Sequence, residues 1–199
     1  MCPKVTKNGS SLQIILPKSV CDSARIEAGE VLNVMTDGST ISIVRPIAPA
    51  FSEPSEENQI IFTIGYESRD IDGFIARLKS NGVQQVIDVR EKPMSRKKGF
   101  SKFALREKLR NADIEYVHLP KLGSPSEIRH EYKEGGSESL FFERYSAYLE
   151  TVHEQIDFVN EHASYLPSAL MCFELSHVHC HRKVIAKKLE NIGYSVVHL

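Results

Sequence analysis

Apolar residues in the second half of the chain form short continuous runs, and amphipathic segments lie between them. The runs have the length and composition of buried strands, at residues 60–64, 85–89, 114–119, 169–173 and 195–199. The segments between them carry apolar residues at helical spacing, at residues 71–78, 102–110, 140–162 and 183–192. Apolar strands that alternate with helices predict an α/β fold, with a mostly parallel sheet flanked by helices.

The first part of the chain has a different pattern. Residues 31–35 and 40–44 alternate apolar and polar positions, as half-buried strands do. The Asp37-Gly38 pair between them is typical of a hairpin turn. Residues 11–16 form another predicted strand, so this part of the chain is β-rich.

A change of composition divides the chain. Pro17 suits the start of a short helix at 18–24, which completes the β-rich module. A segment rich in Pro, Ser and acidic residues then follows, with the composition of a linker. The pattern therefore predicts a β-rich domain at 1–47, a linker at 48–59 and an α/β domain at 60–199.

The β-rich module is too small to bury a core by itself, and a module of this size usually needs oligomerisation. It resembles the SpoVT/AbrB-like family, the swapped-hairpin barrel that includes MazE-type antitoxins, at residues 5–11, 14–17, 28–31, 37–38 and 41–46. That family forms intertwined dimers. The resemblance therefore implies a swapped-hairpin homodimer built through residues 4–46.

The same resemblance implies DNA binding, because members of the family commonly bind DNA. The side chains available for phosphate contacts are Lys4, Lys7, Lys18 and Arg25. Many DNA-binding members carry Arg two residues before the proline, and this chain has Ile15 there. The alternative is a dimerisation module that does not bind DNA.

Global composition excludes some classes of protein. The net charge of -1 argues against a uniformly basic nucleic-acid coat, although a local basic face remains compatible with it. No apolar run is long enough to span a bilayer, and the first residues lack a secretory segment. Four scattered cysteines do not form a disulfide framework. We therefore expect a reduced, cytoplasmic protein without a membrane partner.

Polar and reactive side chains follow the predicted strands at the points where the strands end. They are Tyr66 after the first strand, Asp88, Arg90, Ser95 and Arg96 after the second, His118 after the third, and Cys172, Glu174, Cys180, His181 and Arg182 after the fourth. The carboxyl ends of parallel strands share one edge of a sheet, where α/β proteins bind ligands. The sequence therefore predicts a ligand site at this edge.

These residues also carry a family resemblance over residues 60–199. The motifs 63–66, 87–90, 93–96, 116–118 and 122–123, together with Cys172-Phe-Glu174 and Cys180-His181-Arg182, resemble the bacterial and archaeal family called domain of unknown function 488. The resemblance implies a shared α/β domain and a shared site, without naming a reaction. A looser likeness is to rhodanese, which also has an Asp-x-Arg motif and a strand-terminal cysteine before a helix.

Several of these side chains are candidates for catalysis. Cys180 precedes a predicted helix beside His181 and Arg182, which favours a thiolate nucleophile. Glu174 suits a general acid or base, or alternatively a salt bridge that stiffens the loop. Asp88 has the same two interpretations, while Cys172 is interpreted as buried filler.

Three arginines predict an anion site. Arg90, Arg96 and Arg182, near a helix N-terminus, suit phosphate or carboxylate, with Tyr66, Ser95 and His118 beside them. Residues 90–110 are strongly basic, with only Glu91 and Glu107 as acids, which favours contact with a phosphodiester backbone. Phe100, Phe103 and Tyr66 are candidates for stacking a base, although the position of Phe103 fits the core better.

No metal or other cofactor is expected, because the cysteines lack a Cys-x-x-Cys pair. Zinc is the alternative, with thiolate and imidazole ligands available from Cys172, His177, His179, Cys180 and His181. The leading hypothesis is a DNA-binding homodimer whose α/β domain has a phosphate site and acts on nucleic acid or nucleotides. The alternatives are a ligand-sensing, antitoxin-like regulator without catalysis and a rhodanese-like sulfur or thiol enzyme. The reaction itself stays open.

Overall fold

The computed structural model describes residues 5–8, 11–24, 26–27, 33–36, 41–44 and 59–199. The chain divides into two compact units, residues 1–48 and 49–199. The division falls next to the first residue of the predicted linker. Most of that linker lies outside the described residues. We describe each unit by itself.

The described residues of the N-terminal unit form two antiparallel strand pairs and one helix. Strand β1 (Val5–Asn8) pairs with β2 (Ser11–Ile14), and β3 (Asn33–Thr36) pairs with β4 (Ile41–Val44). Helix α1 (Lys18–Ala24) begins after Pro17, as the sequence predicts. Its side chains are all at least partly exposed. The predicted Asp37-Gly38 turn and the residues that would define a swapped hairpin lie outside the described residues.

The α/β unit is built on a five-stranded parallel sheet with strand order β7-β6-β8-β5-β9. Its strands are β5 (Gln59–Gly65), β6 (Gln85–Asp88), β7 (Glu115–His118), β8 (Ser168–Cys172) and β9 (Tyr194–His198). Every residue of β6 and β8 is buried, including the polar Gln85, Asp88 and Ser168, as expected for strands covered on both faces. Because β8 is the central strand, its carboxyl end lies in the middle of the sheet edge.

Helices cover both faces of this sheet. They are α2 (Ile71–Ser80), α3 (Lys102–Arg110), α4 (Ser126–Lys133), α5 (Glu138–Thr151), α6 (Glu154–Tyr165) and α7 (Arg182–Asn191), with a short 3-10 turn at Pro120–Leu122. Buried residues of α2 and α3 form one apolar cluster with one face of the sheet. Buried residues of α5, α6 and α7 form a second cluster with the other face. The predicted α/β fold with a parallel sheet is therefore confirmed.

The connection that follows β8 runs to one face of the sheet, and the connections that follow its two neighbouring strands run to the other face. The connections after β5 and β6 lead to α2 and α3 on one face, whereas the connection after β8 leads to α7 on the other. Connections that diverge in this way open a crevice at the carboxyl ends of the strands, which is the usual ligand position in such folds. The segment between β8 and α7 starts at this crevice.

Two details of the helices differ from the sequence prediction. The single helix predicted at 140–162 is two helices, because α5 ends at Thr151 and Val152 leaves helical geometry. The apolar stripe continues into α6 with Ile156 and Val159, so periodicity alone does not detect the break. Helix α4 was not predicted, since it has no buried residue and therefore no apolar stripe. Within the described ranges, no helix is long and apolar enough to cross a membrane.

Candidate functional site

The segment after β8 occupies the crevice at the centre of the sheet edge. A Cβ atom at Gly65, the last residue of β5, would lie 1.9 Å from the carbonyl oxygen of Glu174. The backbone amides of Tyr66 and Glu67 donate hydrogen bonds of 3.1 and 2.9 Å to the carbonyl of Phe173. Only glycine at position 65 allows this close approach. The chain therefore fills with its own backbone the place where related folds bind ligands.

Four potential metal-ligating side chains converge within this segment and at the end of β8. One ligating atom each of Cys172, Glu174, Cys180 and His181 can be chosen so that all four lie within 4.8 Å of one another. The Glu174 Oε2 atom lies 3.0 Å from Cys172 Sγ and 3.2 Å from Cys180 Sγ. The His181 Nδ1 atom lies 3.8 Å from each sulfur. We call these four residues the cysteine cluster.

Two contacts orient the cysteine cluster from outside. His181 Nε2 lies 3.1 Å from the carbonyl oxygen of Val89, which can only accept, so Nε2 carries the proton. The Nδ1 atom then faces the two sulfurs. Burial lowers the pKa of His181, but the neighbouring Cys180 outweighs this and raises it. Arg182 is only 1 % exposed, and its Nε donates to Cys180 Sγ at 3.2 Å. Its Nη2 donates to the Glu174 carbonyl, so Arg182 ties the loop to the cluster.

The two thiols of the cluster have opposite pKa shifts. Burial opposes ionisation of Cys180, but the hydrogen bond with Cys172 and the charges of His181 and Arg182 outweigh it, so the pKa of Cys180 lies well below its usual value. Burial and the neighbouring Cys180 raise the pKa of Cys172 well above its usual value. Burial, followed by the charge of Cys180, also raises the pKa of Glu174. Cys180 is therefore the thiol that ionises first.

A second buried cluster surrounds Asp88 and Arg90. The Arg90 guanidinium donates to both carboxylate oxygens of Asp88, from Nε at 2.8 Å and from Nη2 at 2.6 Å. Its Nη1 donates to the Tyr66 hydroxyl and to the Phe100 carbonyl, each at 2.9 Å. The Tyr116 hydroxyl donates to Asp88 Oδ2 at 2.7 Å. We call these residues the arginine cluster, and its charges cancel.

The two clusters lie on opposite faces of the sheet. Along β6, Val86 packs in the same apolar cluster as Tyr66, whereas Ile87 and Val89 pack with Cys172 and Cys180. Side chains alternate along a strand, so Asp88 shares the face of Val86. The single ligand edge predicted from the sequence is thus divided by the sheet into two separate environments.

The predicted anion-binding side chains are not gathered at one point. Arg90 and Arg182 are both buried and donate to acceptors of the protein itself, while Arg96 is exposed. The Ser95 hydroxyl accepts from the Lys97 backbone amide. An anion would have to displace the acceptors of Arg90 or Arg182, and the predicted anion site stays a prediction.

His118, the remaining ligand-binding candidate, lies at the end of β7. Its Nε2 donates to the Arg90 carbonyl at 2.8 Å, while its Nδ1 is buried without a hydrogen-bond partner. Burial lowers the pKa of His118. The candidate zinc ligands His177 and His179 lie outside the cysteine cluster. His177 stacks on His198, and His179 contacts the Glu138 carboxylate.

The aromatic residues near α3 have positions opposite to those expected. Tyr66 and Phe100 are buried and stack on each other with 4.3 Å between ring centres, so neither is free to stack on a base. Phe103, expected in the core, is 74 % exposed. It precedes the buried Leu105 by two residues, which places it on the opposite side of a helix with about 3.6 residues per turn. The core placement of Phe103 was therefore wrong, and its role as a stacking candidate stays a prediction.

Sequence reasoning missed one member of these clusters and interpreted another in two ways. Cys172, interpreted as buried filler or alternatively as a zinc ligand, is buried, contacts Glu174 and belongs to the cysteine cluster. Tyr116 was not singled out, although it precedes His118 by two residues on β7 and therefore shares its face. The period-two pattern was the available signal for Tyr116.

The structure defines the class of this unit. It is an α/β domain with a parallel five-stranded sheet and a cysteine cluster at its central strand. Residues 70–189 match the family described as Domain of unknown function DUF488. The chain belongs to this family, as the resemblance at the ends of its strands indicated. No curated protein and no solved structure matches the chain.

Proposed function

We propose that the α/β unit binds nucleic acid through an exposed surface centred on α3. This α3 basic surface combines cationic side chains with one exposed aromatic ring, and its residues are Lys92, Arg96, Lys98, Lys102, Phe103, Arg106, Lys108 and Arg110. Residues 92–110 hold eight cationic side chains and one acid, Glu107, whereas the whole chain has a net charge of -1, so positive charge is concentrated here. Local positive potential attracts a phosphodiester backbone even when the net charge is near zero.

The exposed ring of Phe103 carries this proposal. Leu105 and Leu109 anchor α3 in the core, so Phe103 and Arg106, three residues apart, lie together on the outward side. The Arg106 guanidinium carbon lies 5.6 Å from the centre of the Phe103 ring. An aromatic ring held in water beside cations suits stacking on an unpaired base, with phosphate contacts around it. Single-stranded nucleic acid is therefore the favoured ligand.

Fluorescence anisotropy with labelled single-stranded and duplex oligonucleotides tests this proposal. Phe103→Ala removes the ring from an exposed position and is expected to weaken single-strand binding by about 1–3 kcal/mol. Arg106→Gln is expected to weaken binding to all sequences alike and to reduce the salt dependence by about one phosphate contact.

A matched control comes from the other face of the sheet. Lys187→Gln removes the same charge from an exposed position on α7 and should leave binding unchanged. Circular dichroism checks that each variant is folded. If Phe103→Ala and Arg106→Gln bind as tightly as the parent protein, the α3 basic surface is not a nucleic-acid site.

The N-terminal unit supports a second proposal, homodimerisation. Ile14, Ile15, Val20 and Ile43 are all exposed in the single chain, between 37 and 67 %. Within the described residues of this unit, helix α1 has no buried side chain, and a unit of about this size has too little core to be stable alone. A second copy that covers these residues would supply the missing burial, as the SpoVT/AbrB-like resemblance implies.

Sedimentation equilibrium of the full chain measures this association. Ile15→Glu, at the most exposed of these apolar positions, should dissociate the dimer, whereas Ser19→Glu adds the same charge to an exposed polar position of α1 and should not. A dimer that survives Ile15→Glu unchanged counts against this interface.

We propose separately that the N-terminal unit binds DNA. Lys7 and Lys18 are exposed and available for phosphate contacts, while Lys4 and Arg25 lie outside the described residues. Lys7→Ala should weaken duplex binding in the anisotropy assay and leave single-strand binding by the α3 basic surface unchanged. Equal duplex binding by Lys7→Ala and the parent protein would contradict it.

A further inference from the structure

The donor atoms of the cysteine cluster match the preferences of one class of ion. Two thiols, one imidazole nitrogen and one carboxylate are the ligand types that zinc takes in proteins. Ligand atoms around a tetrahedral zinc ion at normal bond lengths lie about 3.3–3.8 Å apart. The S···N distances in the cluster are 3.8 Å and the S···O distances are 3.0 and 3.2 Å. Shifts of a few tenths of an ångström would admit the ion.

The surroundings of these donors are those of a metal site. Metal-bound histidine usually donates its second ring N–H to a carbonyl or carboxylate, and His181 Nε2 donates to Val89 in this way. Arg182 Nε donates to Cys180 Sγ, as a hydrogen-bond donor to a metal-bound thiolate does. Both contacts fix the orientation of a ligand before any ion binds.

The charges of the donors would also balance once a metal is bound. A metal that displaces the protons of Cys172, Cys180 and Glu174 leaves three negative charges, and the buried Arg182 supplies one positive charge. Buried charge is unfavourable unless it is paired or bound to a metal. A divalent cation supplies the two positive charges that make the group neutral.

Burial decides between a metal site and a reactive thiol at the same atoms. Cys180 is 1 % exposed and Cys172 is 4 % exposed. A nucleophile must reach a substrate, whereas a ligand of a structural metal needs no access. All four coordination positions come from the protein, which is typical of structural rather than catalytic zinc.

We propose that Cys172, Glu174, Cys180 and His181 form a structural site for a divalent metal of the zinc class. The ion would hold the segment between β8 and α7 in the crevice that it fills. This site is separate from the α3 basic surface, so either proposal stands without the other.

Cobalt(II) binding to the reduced, metal-free full-length protein tests the site directly. Coordination by cysteine gives a sulfur-to-cobalt charge-transfer band, and tetrahedral geometry gives intense visible bands. We expect both bands to saturate at one cobalt per chain, and zinc to displace the cobalt. Absence of the charge-transfer band in the folded parent protein overturns the proposal, without reliance on any variant.

Variants show which cysteines provide the ligands. Cys180→Ser and Cys172→Ser should each weaken zinc binding by about 100-fold or more, measured by competition with a chromogenic chelator, since even loss of a supporting contact costs about 10–100-fold. Glu174→Gln keeps the side-chain shape and should also weaken zinc binding. It provides a second test of the site where a cysteine variant is poorly folded. A double variant at the other two cysteines, Cys2→Ser with Cys21→Ser, is the matched control and should keep full affinity.

The remaining outcomes are equally decisive. Undiminished zinc binding by Cys180→Ser, or loss of binding in the Cys2/Cys21 control, overturns the assignment. Rapid alkylation of Cys180 in a folded protein that binds no cobalt also overturns it, and supports the thiol-enzyme alternative instead.

Discussion

The cysteine cluster and the arginine cluster are both buried at the ends of neighbouring strands, yet their atoms are used differently. In the arginine cluster, both carboxylate oxygens of Asp88 accept hydrogen bonds, and Arg90 donates to Asp88, Tyr66 and Phe100. Its charges cancel and its donors have acceptors. In the cysteine cluster, four potential ligand atoms face one another, and Arg182 is the cation that contacts them.

The difference teaches how to distinguish a structural charge from a binding site. A buried ion pair with complete hydrogen bonding is satisfied by the protein alone, so removal of one partner destabilises the fold. The four converging side chains of the cysteine cluster are, in our proposal, completed by an ion that the chain does not supply. We therefore expect the arginine cluster to govern stability and the cysteine cluster to govern metal-dependent stability.

The largest expected effect is that of Asp88→Asn. The variant leaves the buried Arg90 without its counter-ion, which should lower the free energy of unfolding by about 3–5 kcal/mol. Urea unfolding followed by circular dichroism measures this loss. The control Glu131→Gln breaks the exposed pair with Arg144 and should cost about 1 kcal/mol or less. Similar small losses for both variants would mean that the Asp88–Arg90 pair is not a stabilising element.

Metal removal should give the next largest effect. A metal present at about 100 times its Kd stabilises the native state by about 2.7 kcal/mol, and a chelator should remove this amount. We expect the parent protein and Asp88→Asn to lose equal amounts, because no hydrogen bond joins the side chains of the two clusters. Cys180→Ser should lose nothing further on chelation. Chelator sensitivity that disappears in Asp88→Asn instead would show that the two clusters are coupled.

Tyr116→Phe should give a smaller effect within the arginine cluster. It removes the hydrogen bond to Asp88 Oδ2, and hydrogen bonds to charged groups contribute about 1.5–3 kcal/mol. The matched variant Tyr194→Phe removes hydroxyl contacts to neutral groups of Asn160 and should cost about 0.5–1.5 kcal/mol. Unfolding by urea compares the two variants. We expect the larger loss for Tyr116→Phe, and the reverse order of the two losses would contradict the prediction.

The smallest predicted effect is a pH dependence from His118. Burial lowers the pKa of His118 in the folded protein below its ordinary value of 6.5. The folded state then binds fewer protons than the unfolded state as the pH falls below that value. The contribution of His118 is therefore complete above about pH 6.5 and is lost as the pH falls through the folded pKa.

The free energy of unfolding, measured from about pH 7.5 to about pH 5, tests the direction of this pH dependence. His118→Gln should flatten the fall in stability, whereas His130→Gln, at an exposed position of α4, should not. An unchanged slope in His118→Gln would place the pH dependence elsewhere. His162, whose pKa burial also lowers, is the next group to examine.

Much of the α/β unit could be predicted from the sequence, because buried parallel strands leave uninterrupted apolar runs. The strands, α2, α3 and α7 lie within a few residues of their predicted positions. The break at Val152 and helix α4 could not be predicted, since the first keeps the apolar period and the second has none.

Prediction of the site was less complete for a geometric reason. The sequence indicates that Asp88, Arg90, Cys172 and Cys180 lie near the carboxyl edge, but it does not indicate which face each side chain occupies. The environment on each face of the sheet depends on which helices cover that face, and this is decided by tertiary packing. The same limit explains why Phe103 was expected in the core.

The two clusters also differ in the distance that they span along the chain. The donors of the cysteine cluster all lie within residues 172–181, whereas the arginine cluster joins β5, β6, β7 and the loop before α3. Closing a short loop costs little conformational entropy, so the unfolded chain should already have some affinity for the ion. Metal loading could then begin on the newly synthesised chain, before the sheet is complete. The contact of His181 with Val89, which requires the folded sheet, would convert weak early capture into tight retention.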